Sequence, residues 1–201
     1  MDQIRKPQQK RSMETKEKIL DAAYRLFCRD GYYNTTTNDI ARAADVSIGS
    51  LYSYFKNKDT ILLEILDRHN ASFTKVYREL CADLNACLSE PKAWLRNFLE
   101  GLIRVHLSTK EFSREQTILS YSKPEVAAVL NEQKKITLGE MRNYFESSKQ
   151  YLRVNDPDAA VIVTFHMISS IVDQIVYGNN DMETERILSE GVDAVYKYLM
   201  G

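Results

Sequence analysis

Apolar residues recur three and four positions apart over long stretches of this chain, and nowhere do β-branched residues alternate with polar ones. That period predicts helices throughout, and 7 Gly and 4 Pro in 201 residues leave few breaks between them. Ile19, Leu20, Ala22, Ala23, Leu26 and Phe27 form the stripe of a first helix over residues 15–30, stopped by Gly31 in a left-handed conformation. Thr36, with Asp39 three residues on, reads as a capping pair that opens a short helix carrying Ile40, Ala41 and Ala44. Ser47 caps a second short helix to about Phe55, and Asn57 caps a long one through Leu62, Leu63, Ile65 and Leu66 to about Leu80.

Further along, Ser89, Glu90 and Pro91 begin a helix through Trp94, Phe98, Leu102 and Val105. A shorter piece is expected near residues 115–120. Pro124 begins another helix carrying Val126, Val129, Leu130, Ile136 and Met141, and Asp156 before Pro157 is a sharp start for a helix to Tyr177, ended by Gly178. Residues 184–200 form the last. The fold class is all-α, about nine helices. Residues 1–14 read as a basic flexible arm, 15–60 as a three-helix domain, and 61–201 as a larger helical domain.

A 44% hydrophobic content supplies a sizeable core. No run approaches eighteen apolar residues, and residues 1–15 are charged and glutamine-rich, unlike a secretory signal, so a cytoplasmic protein with no membrane partner is expected. Cys28, Cys81 and Cys87 sit in helical apolar patterns, without metal or redox spacing, and read as reduced core thiols. The net charge of −1 hides an asymmetry: residues 1–60 carry 11 Lys/Arg against 8 Asp/Glu, and the rest carries 16 against 20. Any polyanion-binding end is therefore the N-terminal one. Arg5, Lys6, Lys10 and Arg11 against a lone Asp2 make a basic arm or an ordinary solvated tail.

Residues 31–55 hold two short helices, each opened by a hydroxyl cap, with only Asp45 and Val46 between the end of one and the cap of the next. That is helix-turn-helix spacing, whose second helix can enter a DNA major groove, although an ordinary helical hairpin has the same pattern. On the second helix Ile48, Leu51 and Phe55 share a face and are expected to pack inward. Gly49, Ser50 and Ser53 then point outward, with Tyr52 and Tyr54 on the flanks. Small outward residues admit base edges, and tyrosine hydroxyls can donate to phosphates. The helix starts near Thr36 and Asn57, together with Lys56 and Lys58, add phosphate attraction.

Residues 31–62, GYYNTTTNDIARAADVSIGSLYSYFKNKDTIL, closely resemble the DNA-binding signature of the tetracycline-repressor-like (TetR) family. The matching positions are Gly31, Tyr32, Thr35, Thr36, Ile40, Ala41, Val46, Ser47, Gly49, Leu51, Tyr52, Tyr54, Phe55 and Lys58. The resemblance covers about residues 12–65 and implies a dimeric regulator, commonly a repressor, that binds a palindromic double-stranded operator and is released by a small-molecule effector. The DNA-binding residues it points to are Thr36, Ser47, Ile48, Gly49, Ser50, Tyr52, Ser53, Tyr54 and Lys58. Many relatives place Lys or Arg among the variable positions around residues 47–53; this chain has none between Val46 and Phe55. Contact with thymine methyls and hydroxyl bonds is then favoured over bidentate guanine reading, and an A/T-containing site is expected.

The helix over residues 157–177 is apolar on nearly all sides, with a stripe of Val161, Phe165, Ile168, Val172 and Ile175. The last helix offers Leu188, Val192, Val195 and Leu199, with Gly191 costing ~1 kcal/mol relative to alanine unless a close crossing uses it. In the family these two helices and their symmetry mates make a four-helix dimer interface, so Phe165, Ile168, Val172, Ile175, Leu188, Gly191, Val192, Val195 and Leu199 are its candidates here; packing within one subunit is the alternative. His166, Ser170, Asp173 and Tyr177 align on the opposite face as an internal network, polar dimer contacts or a ligand-binding row. Trp94, Phe98, His106, Met141, Tyr144 and Phe145 could line a cavity before it, or be plain core.

An enzyme is disfavoured. His69, His106 and His166 fall on three different helices, with no HxxxH, HExxH, CxxC, GxSxG or phosphate-loop pattern, and neither a metal nor a cofactor is expected. A helical interaction module without DNA binding is the third class; the basic arm, Tyr54 and Lys58 weigh against it.

Overall fold

A computed structural model describes the backbone of residues 5–81, 89–179 and 181–201, with side chains over 11–79, 89–179 and 181–201. The side chains of Arg5, Lys6 and Lys10, together with Cys81, Cys87 and Asp2, lie outside what is described. Among the described residues there are nine α-helices and no strand: α1 (Arg5–Asp30), α2 (Thr37–Ala43), α3 (Ile48–Tyr54), α4 (Lys58–Cys81), α5 (Pro91–Ser108), α6 (Lys110–Ser122), α7 (Pro124–Ser147), α8 (Pro157–Tyr177) and α9 (Thr184–Met200).

The local stop and start signals act as read. Gly31 has φ +82° and donates its amide to Phe27 O, closing α1. Asp156 caps α8 by accepting from Ala159 N, and Pro157 occupies the first turn. Three boundaries differ. Helix α1 begins at Arg5 rather than near Thr15, since Pro7 is tolerated in a first turn and the Gln, Lys, Arg, Met and Glu that follow are strong helix formers. Helix α6 is 13 residues long instead of a short piece, and a 3₁₀ turn (Lys149–Tyr151) follows α7.

The chain divides into two compact units. The first comprises Met1–Asn70 and Glu111–Val129. Its core is the α1 stripe of Ile19, Leu20, Ala22, Ala23, Leu26 and Phe27 with Ile40 and Ala41 of α2, Leu51 of α3 and Phe55 at its C-cap, Ile61, Leu62, Ile65 and Leu66 of α4, and Phe112, Leu119 and Val126. The second comprises Ala71–Lys110 and Leu130–Gly201. One cluster there joins Leu95, Leu99 and Ile103 of α5 to Val172 and Val176 of α8 and Leu188, Val192 and Val195 of α9. A second joins Met141 and Phe145 of α7 to Ala160 and Val161 of α8.

Helix α8 is long and apolar enough to cross a membrane, which a count of unbroken apolar residues overlooks. One side of it, Ala160, Val161, Thr164, Val172 and Val176, is buried in these clusters, and His166, Ser170 and Asp173 stand exposed on the other.

Candidate nucleic-acid interface

The presentation of α3 rests on caps and one unusual turn. Thr36 Oγ1 accepts from Asp39 N at 3.1 Å, and Asp39 returns the bond to Thr36 N at 3.1 Å, completing a capping box on α2. The Thr36 hydroxyl also donates to Asp39 Oδ2 at 2.5 Å, so its proton is held inside the box. These bonds, side chain first and backbone second, hold the Asp39 carboxyl below the usual carboxylate range. Between the helices Asp45 adopts φ +53°, a left-handed conformation that Asp tolerates better than most residues. Val46 N then reaches Ala41 O at 3.0 Å, and the chain turns into Ser47, which accepts from Ser50 N at 3.1 Å to cap α3.

Leu51 and Phe55 are buried, at 0% and 3% exposure, and anchor α3. Ile48 does not join them: it is 38% exposed, because it occupies the first helical position and α3 packs through its later turn. The free surface of α3 thus carries Ile48, Ser47, Gly49 and Ser53, with Ser50 half-buried. A Cβ added at Gly49 would meet nothing within 4 Å. Ser53 Oγ donates to Ser50 O at 2.6 Å. Tyr52 is half exposed, with its hydroxyl 3.1 Å from Thr37 Oγ1, and the Tyr54 hydroxyl lies 3.2 Å from Ser12 Oγ. Arg11, Arg42 and Lys56 are exposed cations of the same unit.

Lys58 requires a correction. Its Nζ donates to Tyr32 O at 2.6 Å and Thr35 O at 2.7 Å and lies 4.0 Å from the Tyr32 ring centroid. Burial lowers its pKa. It satisfies the carbonyls left over by the turn after Gly31, instead of standing free for a phosphate. Sequence reasoning also missed what surrounds it. The buried Tyr32 donates its hydroxyl to Asp59 Oδ1 at 2.6 Å and its amide to Glu115 Oε1 at 2.6 Å, while Lys123 Nζ reaches Asp59 Oδ1 at 2.5 Å. Burial, and then the Asp59 carboxylate, push the Tyr32 phenol up to about 12. Asn57 behaves as read, capping α4 by accepting from Thr60 N at 2.9 Å.

In the second unit the candidate pocket residues fall into separate places. Trp94 stacks on Phe98 (centroids 5.5 Å) and on Tyr144 (5.4 Å), and His106 meets Phe73 edge-on at 4.8 Å. Among the described residues, buried Trp94 Nε1 and His106 Nδ1 have no hydrogen-bond partner. Burial lowers the His106 pKa, and nearby Asp173 opposes the shift. Met141 is 5% exposed in the cluster with Phe145, and Tyr177 packs against the α5–α8–α9 cluster. His166 and Ser170 are exposed on α8, so they form no row with a buried pocket.

The expected dimer stripe is corrected too. Val172, Leu188, Val192 and Val195 are at most 4% exposed inside one chain, and Gly191 is buried with them, so none is available to a partner. The close crossing at Gly191 exists, but against Ile171 of the same chain, whose Cδ1 would lie 2.9 Å from an added Cβ. Phe165, Ile168, Ile175 and Leu199 are half-buried against the same clusters.

Residues 19–65 match the model of bacterial regulatory proteins, tetR family. The transcriptional regulator QacR of Staphylococcus aureus is 37% identical over 67 residues, 33% of this chain and 36% of that protein; the match thus spans about a third of its relative's length. Over the whole chain the fold is that of a solved TetR-family structure from Mesorhizobium loti (TM-score 0.75, 20% identity, covering 95% of this chain and 99% of that one). A structure from Saccharomonospora viridis in complex with choline is also similar (TM-score 0.72, 20% identity, 94% and 99%). The matched segment coincides with the two capped helices and their supports, the structural likeness shows the same fold over most of the rest of the chain, and residues 19–65 are those that resemble the tetR family of bacterial regulatory proteins.

Proposed function

We propose that this chain is a dimeric repressor that binds a palindromic DNA operator through α3 and is released by a small molecule bound in the second unit. One observation carries the DNA reading: α3 is anchored by Leu51 and Phe55 while Ser47, Ile48, Gly49, Tyr52 and Ser53 are exposed. Ile48 offers an apolar contact for a thymine methyl, and the hydroxyls offer hydrogen bonds, so the site contains A/T pairs. Lys58 leaves the list of phosphate anchors; Arg11, Arg42 and Lys56 take that role.

A second copy would cover the outward faces of α8 and α9, where Ile162, Val163 and Tyr198 are 48%, 42% and 38% exposed beside His166, Ser170 and Asp173. Dimerisation would set two α3 helices one helical repeat apart, ~34–36 Å on B-DNA. The effector reading is supported by the unpartnered Trp94 Nε1 and His106 Nδ1. It is also supported by the choline bound to a structural relative.

Selection of sites from a random duplex pool at two salt concentrations tests the function. An enriched inverted repeat supports a dimeric regulator; no enrichment at low salt moves the reading to a helical interaction module. Ile162→Glu should convert a sedimenting dimer to a monomer and abolish tight operator binding, and an unchanged dimer would place the interface elsewhere.

A further inference from the structure

His106 of α5 and Asp173 of α8 are close enough to feel each other's charge, yet among the described residues no hydrogen bond joins them. His106 is half-buried, meets the Phe73 ring of α4 edge-on at 4.8 Å, and keeps its Nδ1 from water and from any partner. Asp173 stands exposed at the edge of α8 that His106 adjoins. Burial pushes the imidazole pKa down and the carboxyl pKa up, so for each group the loss of water outweighs the attraction of the other. A neutral imidazole can present the Nδ1 lone pair, and a carboxylate presents lone pairs only; both are short of a charged donor. Beyond them the seam between α4 and α5 is aromatic. Tyr77, one turn from Phe73, meets Phe98 edge-on at 5.4 Å, and Phe98 lies two turns, ~12 Å, from His106 along α5.

We infer that this place in the second unit takes a protonated lipophilic amine, which donates N–H groups to Asp173 and His106 Nδ1 and lays its apolar body toward Phe73 and Tyr77. The inference rests on the small-molecule site proposed above for the second unit and names the class of molecule it takes. An anion is disfavoured. It would stand beside the Asp173 carboxylate in a segment, residues 61–201, that already carries 16 Lys/Arg against 20 Asp/Glu. A neutral alcohol donates one proton and leaves the carboxylate charge unpaired. A quaternary ammonium brings the charge without an N–H, so both acceptors stay unmet. A primary alkylamine, like a lysine side chain, is protonated at neutral pH and answers both.

The test is isothermal titration calorimetry of the full chain with phenylbutylamine, its trimethylammonium analogue, phenylbutanol and phenylbutyrate. The amine should bind about tenfold more tightly than the alcohol and the quaternary analogue, the size of one charge-assisted hydrogen bond, and phenylbutyrate should bind most weakly. Asp173→Asn should weaken the amine about tenfold and leave the alcohol unchanged, so the preference disappears; a damaged fold would weaken both. Should Asp173→Asn alter the sedimenting species, His106→Leu carries the same comparison from α5, with the amine weakened several-fold and the alcohol unchanged. A preference for the alcohol or phenylbutyrate, no binding of the amine, or a full amine preference surviving in both variants would overturn the amine site. Operator affinity measured with each probe separates this from the effector reading. Specific amine binding without loss of operator affinity upholds the site and overturns the effector reading, whereas operator release by the alcohol or phenylbutyrate but not by the amine overturns the amine site and keeps the effector reading.

Discussion

Two buried threonines, one in each unit, are met in opposite ways. Thr35 and Thr164 are both 2% exposed. In the first unit Thr35 Oγ1 donates to Gly31 O at 2.9 Å, beside a Tyr32 whose amide and hydroxyl are matched by Glu115 and Asp59 and a Lys58 that answers two carbonyls. In the second unit Thr164 Oγ1, Ser148 Oγ, Trp94 Nε1 and His106 Nδ1 are buried with no partner among the described residues. The matched network around Tyr32 fixes one geometry, which the proposed DNA-reading surface needs. Unmatched groups cost free energy until something enters to meet them, which suits the effector site proposed for the second unit.

Substitutions should expose that contrast. The largest effect belongs to Tyr32→Ala, which removes a buried aromatic ring and uncouples Asp59 and Lys58, and it should cost about 3–5 kcal/mol in urea unfolding. Lys58→Met leaves the Tyr32 and Thr35 carbonyls without their donor and should cost about 1–3 kcal/mol; a change below a few tenths would return Lys58 to the free surface. In the second unit Thr164→Val keeps the shape and removes an unmatched hydroxyl, so it should change stability by less than about 1 kcal/mol or raise it. Gly49→Ala should stabilise the free protein by up to ~1 kcal/mol through helix propensity while weakening operator binding, and tighter binding would show that nothing approaches that position closely.

Proton linkage separates the units again. Lys123 and Tyr32 donate to the Asp59 carboxylate and hold its pKa below the usual range. Its contribution is therefore present at neutral pH and is lost as pH falls through the depressed value. Asp59→Asn should flatten the acid limb of the stability curve, by a modest amount since the carboxylate is half exposed. Burial lowers the His106 pKa, so the unfolded chain takes up the proton first and stability should decline as pH drops below about 6.5. His106→Leu should abolish that decline while leaving the Asp59 limb in place.

Much of the architecture was legible because its signals are local. The Thr36–Asp39 box, the caps at Ser47, Asn57 and Asp156, and the stop at Gly31 each involve residues within four positions, and the structure forms all of them. The role of Lys58 was not legible, since the carbonyls it serves lie 23 and 26 positions away, nor was the Glu115 bond, which spans 83. The stripe through Val172, Val192 and Val195 was misassigned for another reason. Apolar periodicity says that a face is buried but not by whom, and here α5 of the same chain covers it. Thr37 escaped notice because its partner is defined only once α2 and α3 are folded together.

The bond from Ser53 Oγ to Ser50 O restricts what this helix can distinguish. A hydroxyl whose single proton is already committed has only lone pairs left to present, so in the proposed DNA contact Ser53 is an acceptor, suited to bases that display an amino group in the major groove, adenine N6 or cytosine N4. Thymine O4 and guanine O6 would face it oxygen to oxygen. If Ser53 meets a base as proposed, the discrimination at that step is between amino and keto bases, set by a main-chain carbonyl three residues back.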